Sequence, residues 1–195
     1  MKRADEELIL EFQNGHEGAF EDLFRKYKTP IFNFVMRLLC NRADAEDVVS
    51  EVFMKLYTHK HSYKPQARFS TWLFTIARNT SISKVRTRNR FSPLWVSDGE
   101  SGTYEEIPVP DPGPLPAEHV MGQETAAVIQ RAVEQLPDDQ KEALILREYH
   151  NFKYDDIAAI MGCSLENVKI LIYRARARLR KDLPSILMEG QDDGS

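Results

Sequence analysis

Between Ile107 and Ala117 the chain reads PVPDPGPLP, with proline at every second position from Pro108 to Pro116. Proline lacks a backbone N–H and fixes φ, so no helix can cross this run. From Ser97 to Glu118 there are six acidic residues (Asp98, Glu100, Glu105, Glu106, Asp111, Glu118) and no lysine or arginine. Such a stretch buries too little apolar surface to fold alone. It predicts an extended acidic linker, on composition a passive tether, that separates two folded blocks.

Both flanking blocks carry helical periodicity and no period-two alternation, so the predicted class is all-α. Phe20, Leu23, Phe24 and Tyr27 form one stripe. Val48, Val49, Val52, Phe53 and Leu56 form a second, and Phe69, Trp72, Leu73 and Ile76 a third. Pro30 is read as a boundary between two helices. The predicted organisation is a helical domain over 1–91, the linker over 92–122 and a smaller helical domain over 123–188. Leu136-Pro137-Asp138-Asp139 marks a helix start inside the last of these, since proline suits a first turn and acids favour the N-terminal dipole.

The only cysteines are Cys40 and Cys163, which indicates no disulfide framework and suits a reducing cytosol. The start MKRADEELILEF has no sustained apolar segment and does not read as a signal peptide. IFNFVMRLLC is interrupted by Asn33 and Arg37, so no membrane insertion is predicted and the expected location is cytoplasmic.

Charge distribution says more than its sum of −4. The segment Cys163–Leu183 carries Lys169, Arg174, Arg176, Arg178, Arg180 and Lys181 against Glu166 and Asp182 alone. It also has the layout of a helix-turn-helix. A first helix over Tyr154–Met161 turns Ile157, Ala158 and Met161 inward, Gly162 supplies the turn, and Ser164 caps the second helix near Glu166 or Asn167. Leu165, Val168, Leu171, Ile172, Ala175 and Leu179 share one face of that helix. Glu166, Lys169, Ile170, Tyr173 and Arg174 fall on the other face or its edges. Basic side chains beside exposed Ile170 and Tyr173 suit a DNA major groove, with the later arginines, Arg176 among them, on phosphates. A hairpin with a merely solvated basic face is the lesser alternative, since such a face usually mixes signs rather than stacking arginines.

A second basic track runs from Arg78 through Lys84, Arg86 and Arg88 to Arg90 without an acid. Aromatics precede it, and charge next to π faces suits single-stranded nucleic acid. Phe69 and Trp72 are expected in the core. Phe74, Thr75, Arg78 and Asn79 are expected on a different, contacting face. Upstream, DAEDVVSEVFMKLY places Asp44, Asp47 and Glu51 on an acidic stripe, either solvated or a docking surface for a basic protein. Acid and base are thereby expected on separate faces. His59 and His61 lie close together, but no further ligand stands at zinc-site spacing and no phosphate-cradling glycine loop is present, so neither metal nor cofactor is predicted.

Three stretches together resemble the extracytoplasmic-function sigma factors of bacterial RNA polymerase. DAEDVVSEVF is similar to that family's polymerase-binding helix and FSTWLFTIARN to the helix that reads and opens the downstream promoter element. LPDDQKEALILREYHNFKYDDIAAIMGCSLENVKILIYRARARL is similar to its second domain. The resemblance implies a non-enzymatic factor that directs core polymerase to promoters and promotes melting. It implies polymerase contacts at Asp44, Asp47, Ser50, Glu51 and Phe53, with Ser50 standing where many members have glutamine. It implies minus-ten contacts to duplex and melted non-template strand at Tyr63, Arg68, Phe74, Arg78, Asn79, Lys84, Arg86 and Arg88, with the loop His61–Arg68 capturing a flipped base. It implies minus-thirty-five contacts at Glu166, Asn167, Lys169, Ile170, Tyr173, Arg174 and Arg176. It also implies an anti-sigma partner, and a linker lying in the polymerase's RNA path. The competing readings are a stand-alone helix-turn-helix regulator whose N-terminal block dimerises or senses, a metal-dependent enzyme, and a protein adapter without DNA contact.

Overall fold

The computed structural model describes residues 4–91 and 123–189, which are helical with no strand among them. The stretch 92–122, expected to be the acidic linker, lies outside the described residues. The chain divides into two compact units.

The first unit is built from α1 (Asp5–Gln13), α2 (Glu17–Leu39), α3 (Arg42–Thr58), a 3-10 turn at Lys60–Ser62 and α4 (Phe69–Phe91). Helix α1 opens on Asp5, Glu6 and Glu7, which complement the helix dipole. Gly15, at φ +95°, makes the turn into α2, where a Cβ would be strained. Helix α3 packs on both α2 and α4, and α1 lies against α2 and α4. Phe12, Leu23, Ile31, Phe34, Leu56, Phe69 and Leu73 are fully buried between them. Each such side chain contributes about 1.5–3 kcal/mol relative to its exposed state.

One expectation fails here. Pro30 does not divide two helices: α2 runs through it from Glu17 to Leu39. The missing N–H removes one helical hydrogen bond, but Tyr27 on one side and Ile31, Phe34 and Val35 on the other are buried. Their packing holds both halves in register.

The second unit contains α5 (Gln123–Glu134), α6 (Asp138–Glu148), α7 (Tyr154–Met161) as far as Ala158, and α8 (Leu165–Glu189). Helix α6 starts just after Pro137 on Asp138 and Asp139. Helix α8 packs against α5 and α6, with Val168, Ile172, Ala175 and Leu179 buried. Helix α7 has the expected bounds, and Ile157 and Met161 are buried as expected, with Ala158 half-buried.

Candidate nucleic-acid interface

The turn between α7 and α8 is set by three residues. The Cys163 N–H donates to the Ala158 carbonyl (3.1 Å), Gly162 takes φ +68°, and Ser164 Oγ accepts from the Asn167 N–H at 3.1 Å. The hydroxyl satisfies a helix-start donor that has no partner within α8. With the start of α8 held, Val168, Leu171, Ile172, Ala175 and Leu179 of its apolar stripe are buried and Leu165 is half-buried, while Glu166, Lys169, Tyr173, Arg174, Arg178, Arg180 and Lys181 are exposed. Ile170 and Asn167 are half-buried at the edge of that surface.

Arg176 is not on it. It is 4% exposed, and its Nη2 and Nε atoms converge on Glu148 Oε1 at 2.7 and 3.2 Å. Arg176 lies one residue beyond buried Ala175 on the face of α8 toward α6, so its charge is used inside the unit rather than on phosphates.

In the first unit, Asn41 Oδ1 accepts from the Asp44 N–H at 2.9 Å and caps α3. The helix buries Ala45, Val48, Val49, Val52, Phe53 and Leu56, and leaves Asp47, Ser50, Glu51 and Met54 exposed. Phe53 was expected at the docking surface, but it is buried against Phe24, the rings 4.7 Å apart and edge-on. The Ser50 hydroxyl donates to the Glu46 carbonyl of its own helix (2.9 Å), and Glu51 pairs with Lys55 at 2.7 Å.

The two signs of charge, expected on separate faces, meet where α3 crosses α4. Lys84 Nζ lies 2.9 Å from Asp47 and 3.5 Å from Asp44, and Arg88 Nη1 lies 3.3 Å from Asp44. The hydrogen bond to Asp47 raises the Lys84 ammonium above the usual lysine range, against an opposing effect of desolvation, and the two carboxylate charges add to the rise. Each stripe is one-signed along the sequence, but helix packing brings their edges together.

Along α4, Asn79 and Arg86 are exposed and Arg78 is half-buried. Phe74 departs from expectation: it is 2% exposed and packs on Phe34, centroids 5.2 Å apart. Helices on several sides of α4 widen its buried arc past a single stripe, and Thr71, Thr80 and Ser81 are buried as well. Tyr63 is likewise interior. Its ring meets Phe69 and Trp72 at 5.8 and 5.4 Å, and its hydroxyl donates to the Ala67 carbonyl at 2.8 Å. Burial first, then the charges of Glu6 and Asp5, raise its phenol above the usual tyrosine value. Arg68, at the foot of α4, is exposed, as are His61, Lys64, Pro65 and Gln66 in the loop before it.

Beside the acidic face of α3 lies a margin of exposed apolar side chains: Met54 and Tyr57, which no sequence stripe included, and Phe24, which shares a stripe with buried Leu23 and Tyr27. Phe20 bridges Phe24 and Tyr57 at ring distances of 6.3 and 5.5 Å. A signal existed, since Met54 and Tyr57 lie off the Val48–Val52–Leu56 stripe. Among the described residues, no helix is long and apolar enough to cross a membrane.

Residues 23–91 match the Sigma-70 region 2 family, and residues 126–179 match Sigma-70, region 4. The chain is 31% identical to the RNA polymerase sigma-H factor of Pseudomonas aeruginosa, over 95% of this chain and 96% of that one. It is 33% identical to the ECF RNA polymerase sigma factor SigW of Bacillus subtilis, over 90% and 94%. Among solved structures, it is similar to the sigma factor RpoE in complex with the anti-sigma factor NepR from Bartonella quintana. The TM-score is 0.65 at 28% identity, covering 87% of this chain and 96% of that one. The chain belongs to the extracytoplasmic-function family of RNA polymerase sigma factors. It is an alternative sigma factor, a transcription initiation factor that directs RNA polymerase to promoters, and the stand-alone regulator reading is set aside.

Proposed function

We propose that three surfaces of this chain divide the work of initiation. The exposed face of α3, with Asp47, Ser50 and Glu51 and the neighbouring Met54, docks core RNA polymerase. Arg78, Asn79 and Arg86 on α4, with Arg68 and the loop 61–68, engage the minus-ten element and its melted non-template strand. The outer face of α8 reads the minus-thirty-five element through Glu166, Lys169, Ile170, Tyr173 and Arg174. The observation that carries this reading is the sorting of α8. One face is buried, while the opposite face is exposed, basic and aromatic from a start capped by Ser164.

Opening proceeds without hydrolysis by this chain. Extruding a base costs a few kcal/mol, and binding of the exposed base in the loop 61–68 offsets it. Two features support an anti-sigma partner that holds this chain. The solved relative from Bartonella quintana is bound to one, and Phe24, Met54 and Tyr57 offer apolar surface next to the acidic face. The deciding experiment is run-off transcription with core polymerase, comparing the wild type with Arg174→Ala and Asn79→Ala. Arg174→Ala is expected to lose initiation at promoters that need a minus-thirty-five element, and Asn79→Ala to lose opening. Unchanged initiation in both would displace these surfaces.

A further inference from the structure

Helix α1 contributes no residue to the surfaces described above, yet two of its polar side chains, Gln13 and Glu6, reach one distant segment. Gln13 Nε2 donates to the carbonyls of Lys60 (2.7 Å) and Tyr63 (3.2 Å). Lys60 Nζ returns to the Phe12 carbonyl at 3.1 Å and sits 4.1 Å from the Phe12 ring centroid. At the far end, Glu6 Oε1 accepts from the N–H of Phe69, the first residue of α4, at 3.2 Å. That donor has no partner within its own helix, and a carboxylate there also meets the positive end of the dipole. Glu6 is thus a cap supplied to α4 by another helix. These contacts are part-buried and span 47 to 63 residues of sequence. Between the two anchors lies the loop 61–68, whose Lys64, Pro65 and Gln66 are exposed.

We propose that α1 is a positioning element for this loop, with Gln13 holding its entry and Glu6 its exit in the form that receives an unstacked base. The proposal rests on the reading of the loop given above. A loop already held needs no ordering when the base arrives, so more of the binding favours the opened promoter. A loop without its anchors has to be ordered at that moment, and opening slows.

The test uses holoenzyme reconstituted with the full chain and a promoter carrying 2-aminopurine at the extruded minus-ten position. Gln13→Met keeps the side-chain length without the donor, and Glu6→Met removes the cap. Each is expected to slow the fluorescence rise by about fivefold, the scale of one hydrogen bond, with polymerase affinity within about twofold of wild type. Glu6→Gln retains an acceptor for the Phe69 N–H and is expected to restore opening. Opening within twofold of wild type in both methionine variants overturns the proposal. So does a parallel loss of polymerase affinity, which would mark α1 as a general structural support. Lys64→Ala with Gln66→Ala probes the loop directly. If that pair impairs opening while Gln13→Met and Glu6→Met do not, the brace alone falls. If that pair opens normally, the loop reading and the brace fall together.

Discussion

Arg176 Nη2 and Glu148 Oε1 lie 2.7 Å apart, joining the basic helix α8 to α6 inside the C-terminal unit. The arginine side chain is 5% exposed and the glutamate 22%. Deleting one member of a buried pair takes a charged partner from the other. Glu148→Ala is therefore expected to lose roughly 3 kcal/mol of unfolding free energy in that unit, read by urea titration of the full chain. Arg174→Ala, on the exposed face, is expected to leave stability within about 0.5 kcal/mol while losing promoter recognition.

Lys84 is shared between Asp44 and Asp47, so carboxylates that the family resemblance implies for polymerase and a cation it implies for DNA restrain each other in the free protein. Asp47→Asn is expected to raise affinity for a minus-ten single strand by about two- to fivefold, the range of a surface pair. The gain should shrink at high salt, because exposed pairs are screened. Fluorescence anisotropy across a salt series checks both, and an affinity independent of the substitution would count against the restraint.

Phe74 belongs to the core of the first unit. Phe74→Ala is expected to cost about 3–5 kcal/mol through the cavity it leaves beside Phe34. Phe74→Leu should recover most of the stability and with it promoter opening. A variant that folds with full stability and fails only in opening would restore the side chain to the DNA surface.

Ser164→Ala removes the acceptor for the Asn167 N–H and is expected to destabilise the C-terminal unit by about 1 kcal/mol. Ser164→Asp retains an acceptor and should be close to wild type. Thermal denaturation at one pH separates the two.

Tyr27 sets a slope at alkaline pH. Burial, followed by the 2.6 Å hydrogen bond to Asp5, holds its phenol well above the ordinary value of 10.0. Below pH 10 folded and unfolded chains both keep this proton. Above it the unfolded chain releases the proton while the folded one retains it, so stability falls by up to about 1.4 kcal/mol per pH unit. Tyr27→Phe removes that contribution. The stability advantage of wild type over Tyr27→Phe is expected to narrow as pH rises past 10, measured by urea midpoints from pH 8 to 11.

The helix-turn-helix was legible residue by residue because its determinants are local. The bounds Tyr154–Met161, the positive φ at Gly162 and the Ser164 cap each depend on neighbours within four positions. The same holds for the buried stripe Val168, Leu171, Ile172, Ala175 and Leu179, which a 3.6-residue period places on one side. The family resemblance was legible for a related reason, since its motifs are contiguous runs of sequence.

Side chains whose role depends on which other helix lies alongside were not legible this way. Phe74 and Tyr63 are interior because α2 and the aromatics of α4 close over them, and Arg176 because Glu148 stands 28 residues earlier on α6. Lys84 meets Asp47 across 37 residues, and Glu6 caps Phe69 across 63. Periodicity along a chain says which side chains share a face of a helix. Which faces are then covered, and by what charge, is decided only when the helices pack, because burial and Coulomb attraction act through space and not along the backbone.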